Sequence, residues 1–395
     1  MIKVIPLNDV KLGMCLAESV TDSANQVIYK KNFYFTSRDQ IIQLLDHGVK
    51  TVKINLGLSI VEDRSKKEQQ EIENKVKKEL ENPERRFKKM TNNIIETKEI
   101  YDHGEKVVED VMTSVRFGKA LDQKAVREET MRIFKDIQND PMVSLALLDL
   151  KNFDEYTFIH SINVAVLSIA LAHHIRFADE RVTSVGQGSI LHDVGKAKIP
   201  INILNKPDKL NDTEFRIMRK HPNFGVDVLV QENMDNDIVK EIILHHHEDF
   251  DGTGYPNRIG GTDMKRYASI VSIADFYDAL TTQRVYKPAL APPEAIQMIF
   301  SLSGTKFDPR VVNHFIKVVG IYPVGSIVEL SDHRIASVIA FSRESLLQPI
   351  VKTFFHKDTP KILNVEVISL VHSELYILGI YNDYIIKSTE IFSKA

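Results

Sequence analysis

Between residues 160 and 275 the chain sets out histidines and aspartates that could hold metal. They are His160 in "YTFIHSINVA", His192-Asp193 in "ILHDVGKAKIP", His221 in "MRKHPNFG", the triplet His245-His246-His247 in "HHHEDFDGTGYP", and Asp275 in "IVSIADFYDAL". Each alone is ordinary, since a histidine on an apolar helix is usually a hydrogen-bonded core residue. Together they make a donor set of nitrogen and oxygen, and the chain has a single cysteine, Cys15, to offer as thiolate. Such donors suit iron, manganese or zinc. The set is too large for one tetrahedral ion and divides between two, with one carboxylate shared. Asp193 is the best bridge, because it directly follows His192 on what reads as one helix. Two ions about 3.5–4 Å apart can share a hydroxide and clamp a phosphate during in-line attack.

Lys196 lies three residues past Asp193, so on a helix it projects from nearly the same face. A cation there would meet the charge that builds on a phosphoryl oxygen. Asp275 stands in an apolar run, where an unpaired carboxylate is costly. Three adjacent side chains sweep about 200° around a helix, so at most two neighbours of the triplet can converge on one ion. Composition leaves 245–246 and 246–247 both open. Gly195 would let the chain pack closely at its turn, and the glycines of "DGTGYP" permit backbone angles that other residues avoid. His173-His174 close an apolar helix near its C-terminal end, where positive charge is favoured. They, His47, His103 and the histidines after residue 300 are assigned no chemistry.

The elements that must position these residues are helical. From 141 to 321 apolar residues recur at three and four, which predicts a dense helical block. Residues 1–63 read as a small α/β module: strand-like runs "KVIPL", "MCLAESV" and "VIYKKNFYF", a helix over "TSRDQIIQLLDHGV", and a closing strand "KTVKINL". Residues 64–140 read as a charged helical linker with Ile72, Val76 and Leu80 in one thin stripe; a homodimer through that stripe is the alternative, limited by Pro83. Residues 322–395 read as a β extension. The fold class is therefore multidomain α+β around an all-α core.

With 395 residues, 43% of them hydrophobic, the chain can bury the cores of two or three domains. A net charge of −3 advertises neither a nucleic-acid polymer nor a membrane partner. The N-terminus lacks a signal-peptide pattern, the apolar stretch 163–172 is too short to span a bilayer, and one cysteine makes no internal disulfide. A cytoplasmic protein is expected.

With these residues in view, the sequence resembles the HD-GYP family, a branch of the HD metal-dependent phosphohydrolases. The matching segments are "HDVGKAKIP", "HHEDFDGTGYP", "YTFIHSINVA", "ADFYDALTTQRVYKP" and "FDP" at 307–309, in family order over about 145 to 310. The resemblance implies an all-α HD-type catalytic core that hydrolyses cyclic di-GMP to linear pGpG and often GMP. It implies as metal ligands His160, His192, Asp193, His221, His246, His247 and Asp275, holding two divalent ions, iron or manganese before zinc. It implies that Lys196 faces the scissile phosphate, that Arg284 and Lys287 hold the substrate's phosphates, and that Tyr255, on a loop at the substrate side, also binds substrate. The family register selects His246-His247 and leaves His245 as a bystander, backing a ligand or facing solvent. Members with a third metal carry a glutamate one turn before the first histidine; here Tyr156 stands there, which implies two metals. The polar segment "VGQGSILHD" would loosen the helix that carries His192. Two rival readings are hydrolysis of cyclic GMP-AMP and a catalytically silent cyclic di-GMP binder; the full ligand set argues against the second. "VKLGM" and "GVKTVKI" resemble a small module often found before this domain, and the tail from "YPVGSIVELSD" resembles a β extension often found after it.

Overall fold

The computed structural model describes residues 2–10, 14–22, 27–33, 35, 38–55, 83–139, 156–282, 289–340, 346–357, 359–362 and 366–381. Ile72, Val76 and Leu80 of the linker stripe lie outside the described residues, as do Arg284 and Lys287. The chain divides into two compact units, one drawn from residues 1–86 and 320–383 and the other built on 87–319.

In the first unit, β1 (Ile2–Pro6) pairs antiparallel with β4 (Thr51–Asn55), and β2 (Val20–Thr21) with β3 (Val27–Tyr29). Helix α1 (Arg38–Asp46) ends where Gly48 takes φ +78°, the left-handed conformation that closes a helix cheaply. Leu16, Phe35, Leu44 and Ile54 are fully buried at its core. The run "MCLAESV", read as a strand, contributes a bridge from Leu16 to Ile54 and then bends. The later residues form β5 (Ile327–Leu330), β6 (Arg334–Ala340), β7 (Ile350–His356), β8 (Thr359–Ile362), β9 (Val367–Ser369) and β10 (Ile377–Ile380). They make a sheet of order β10-β5-β6-β7-β8, with β9 also on β7. The segment "TPKI" carries Pro360 and gave no strand signal; β8 tolerates it because it is an edge strand.

Among its described residues the second unit is helical, apart from an isolated bridge between Ser303 and Phe307. Its elements are α2 (Pro83–Arg116), α3 (Gln123–Asn139), α4 (Tyr156–His174), α5 (Asp179–Leu191), α6 (Ile201–Leu204), α7 (Asp212–Met218), α8 (His221–Gln231), α9 (Asp237–His245), α10 (Arg266–Thr281), α11 (Pro292–Ser301) and α12 (Pro309–Val319). Pro83 starts α2, where a missing N–H removes no bond. Helix α4 is buried from Ser161 to Ala172, with α5, α10 and α3 packed around it. An apolar helix of that kind belongs in a core, and each of Ile162, Leu167 and Ile169 contributes about 1.5–3 kcal/mol by burial. The glycines of α5 do not loosen it. A methyl group at Gly186 would overlap Thr130 of α3 and Ile169 of α4, and one at Gly188 would overlap Ile242 of α9. They are the points where neighbouring helices come closest, and α5 is buried through its last two turns.

Candidate metal centre

Helix α5 ends at Leu191, and His192-Asp193 form a turn into a 3₁₀ segment, Val194–Lys198. Asp193 is thus not on the helix that leads to His192, as the sequence suggested; it is the residue before the 3₁₀ turn. With three residues per turn, Asp193 and Lys196 eclipse each other. Lys196 Nζ donates to Asp193 Oδ2 at 2.5 Å. Gly195 brings the turn onto α8, since a side chain there would overlap the His221 carbonyl and Gly225 N. That contact delivers His221 Nε2 to 3.3 Å from Asp193 Oδ1.

The other donors converge on the same place. His192 Nε2 lies 3.2 Å from Asp193 Oδ2, His246 Nε2 lies 4.0 Å from Asp193 Oδ1, and His160 Nε2 lies 3.2 Å from Asp275 Oδ1. Two sets result: Asp193, His221, His246 and His247, and His160, His192 and Asp275, with the donor atoms of each set within 4.8 Å of one another.

The rings are aimed from behind. His192 Nδ1 lies 2.7 Å from Ser189 O, His221 Nδ1 2.9 Å from Met218 O, and His246 Nδ1 3.0 Å from Ile243 O. A carbonyl oxygen only accepts, so each Nδ1 carries the hydrogen and each Nε2 turns a lone pair inward. His160 Nδ1 instead donates to Asp278 Oδ2 at 2.7 Å, and Asp278 is fixed by Asn163 Nδ2 at 2.8 Å and Thr282 Oγ1 at 3.1 Å. Such backing is what metal-binding histidines need.

Charge and burial agree with this reading. Burial holds His221 down to about 4 and His247 to about 3, against the partial pull of Asp193 and Asp275, so both rings are neutral donors. Burial would raise Asp193, but Lys196 and His192 outweigh it and hold the carboxyl well below its usual range. His160 is also buried, yet hydrogen bonds to Asp275 and Asp278 push it up to about 9. His192 Nε2 and Asp193 Oδ1 are buried without a hydrogen-bond partner among the described residues. Orphaned inward-facing acceptors are costly unless a cation satisfies them, and the donor set fits divalent metal.

Tyr255 stacks on the His247 ring, with centroids 4.7 Å apart. Its loop is organised by Glu248, a fully buried carboxylate that accepts from Asn257 N at 2.6 Å and Ile259 N at 3.2 Å. Gly254 allows the loop to lie on the His247–Asp249 backbone. Lys306 ties the loop down through Asp249 at 2.6 Å. His245 is 8% exposed, so it does not face solvent; it packs beside Glu248, its Nδ1 3.7 Å from Oε1. The side chain of Tyr156 lies outside the described residues. Asp278, Asn163, Glu248 and Arg219 were missed by sequence reasoning. For Asp278 and Asn163 a signal existed: each lies three residues past a ligand, on the same helical face.

An all-helical core that gathers histidines and aspartates around a His-Asp turn defines a metal-dependent hydrolase class. Residues 146–311 match the family described as HD domain, and residues 2–126 match a domain of unknown function. A cyclic di-GMP phosphodiesterase of Pseudomonas aeruginosa is 32% identical over 373 residues, 94% of this chain and 89% of the relative. A cyclic di-GMP phosphodiesterase of Vibrio cholerae is 36% identical over 205 residues, 48% of this chain and 42% of the relative. A 3′3′-cGAMP-specific phosphodiesterase of Vibrio cholerae is 38% identical over 157 residues, 40% of this chain and 30% of the relative. The chain belongs to the HD-domain family, in its HD-GYP branch. Among the described residues no helix is long and apolar enough to cross a membrane.

Proposed function

We propose that the protein is a cyclic di-GMP phosphodiesterase that opens its substrate to linear pGpG or GMP, using two divalent ions, iron or manganese. The observation that carries this is the convergence of all the sequence-predicted donors beside Lys196, in a chain related over most of its length to a cyclic di-GMP phosphodiesterase. Bound divalent ions supply Lewis-acid polarisation of the phosphate and a water of lowered pKa. The chain's own residues do the rest. Asp193 joins the two sets, with Oδ2 toward His192 and Oδ1 toward His221 and His246. Lys196 keeps Asp193 ionised and, with its side chain 32% exposed, offers a donor to the leaving oxygen. Arg284 and Lys287 are assigned to the substrate's phosphates, where the arginine fork suits two oxygens. Tyr255 braces His247. The cytoplasm, where a cyclic dinucleotide messenger would be met, is the proposed location.

Anaerobic loading with iron or manganese, followed by product identification from cyclic di-GMP, tests the proposal. Asp193→Ala is expected to lose metal and turnover together; a variant that keeps both sinks it. A second reading, hydrolysis of 3′3′-cyclic GMP-AMP, is favoured by the relative of that specificity. Parallel turnover of both dinucleotides decides between them.

A further inference from the structure

Helix α7 buries none of its residues, so it adds little to the core. It is nevertheless well fastened. Asn211 accepts from Thr213 N at 3.0 Å and Glu214 N at 2.9 Å, Glu214 accepts from Asn211 N at 2.8 Å, and Lys206 donates to Glu214 at 2.7 Å. Seven residues do not sustain a helix in water unaided. These ties hold α7 in place for something other than packing.

What it presents is Phe215, 46% exposed, and one turn later Arg219. The Arg219 guanidinium lies 4.9 Å from the Phe215 ring centre and 4.7 Å from that of Tyr255. Tyr255 in turn stacks on His247. The series leads outward from a metal ligand: imidazole, phenol, guanidinium, phenyl. Among the described residues Arg219 has ring partners and no carboxylate partner. Rings against the guanidinium leave its in-plane N–H edge as the part open to a ligand, already fixed in direction. A pair of parallel donors fits a pair of acceptors in one plane. Guanine offers O6 and N7 on one edge, whereas adenine puts an amino donor in place of O6. Arg219 stands two ring contacts from His247, within reach of a base whose phosphate occupies the metal centre.

We propose that Arg219, held by Phe215 and Tyr255, receives a guanine base of the substrate through its O6 and N7 edge and selects guanine over adenine there. This rests on the reading of the protein as a cyclic dinucleotide hydrolase. It gives α7 a purpose and makes Tyr255 a brace for a substrate contact as well as for His247.

The test compares metal-loaded wild type, Arg219→Ala, Arg219→Lys and Phe215→Leu, with metal content measured for each. The substrates are cyclic di-GMP and bis(4-nitrophenyl) phosphate, a diester without bases. Arg219→Ala is expected to raise KM for cyclic di-GMP about tenfold while kcat moves less than about twofold. The ratio of kcat/KM for cyclic di-GMP over the base-free diester falls about tenfold with it. Arg219→Lys keeps the charge without the fork and is expected to follow the alanine variant. Phe215→Leu moves KM the same way, about threefold, because the fork loses one support. An unchanged KM in Arg219→Ala, full recovery by lysine, or equal loss on both substrates overturns the guanine contact. A wild type that cleaves the base-free diester and leaves cyclic di-GMP intact overturns the functional reading instead, so the two failures are distinct.

Discussion

His160 is backed by different means from the other rings of the two donor sets whose backing is seen. His221 and His246, around Asp193, are aimed by backbone carbonyls of Met218 and Ile243, and His192 is held in the same way by Ser189. His160, facing Asp275, is aimed by the carboxylate of Asp278. A carbonyl fixes the tautomer and adds no charge, so buried rings such as His221 stay neutral. A carboxylate fixes the tautomer and makes the ring more basic, and His160 rises to about 9. Near neutral pH the side around Asp193 can take a cation without releasing a proton from its rings. The His160 side must give up a proton first.

The largest test of this contrast removes a ligand outright. Asp275→Ala strips the charge that His160 faces, and turnover of cyclic di-GMP is expected to fall by about three orders of magnitude. Metal analysis should show loss from this set while Asp193 and its histidines still bind; retention of full turnover would remove Asp275 from the centre. Next in size is Asp278→Asn, which keeps a hydrogen-bond acceptor for His160 and removes the charge. Metal affinity is expected to drop about 10–100-fold. Equal affinity would mean that the carboxylate does no more than a carbonyl would.

A pH series on metal-free protein separates the two sides by sign. His160 is raised above its ordinary 6.5, so its contribution to stability is complete below about 6.5 and is lost as pH climbs through about 9. His221 and His247 are lowered to about 4 and about 3, so stability falls as pH drops from 6.5 toward those values. Urea unfolding should show both limbs, the acid one larger because two rings contribute to it. Asp278→Asn should shrink the alkaline limb, Asp275 keeping the rest of it, and leave the acid one. The smallest effect belongs to His245→Ala. The variant is expected to keep its metals and lose about 1–2 kcal/mol of stability, because the ring fills a buried place beside Glu248.

How much of this could be read beforehand differs by residue. The donors were legible because histidine and aspartate in apolar runs are rare enough to stand out, and the structure brings every one of them together. The turn at His192-Asp193 was not legible, since "ILHDVGKAKIP" continues a helical pattern; the helix ends at Leu191, and just past it Gly195 lies against His221 of another segment, a contact that the local sequence does not show. The burial of His245 was legible and overlooked: it lies three residues past buried Ile242 on amphipathic α9. Glycines 186 and 188 were misjudged because a sequence shows a missing side chain and not the neighbour that fills its place. The strand at "TPKI" was hidden by its proline, which only an edge position excuses.

Helices α5 and α9 both end at the centre, with His192 and His246 as the residues that follow them. Aligned peptide dipoles leave partial negative charge at such ends. Two of them, beside carboxylates at Asp193 and Asp275 that are both held ionised, give the metal-free centre a negative field. That field draws in cations and repels a phosphate. In the proposed mechanism metal is therefore expected to enter first, and the phosphate of the dinucleotide to follow.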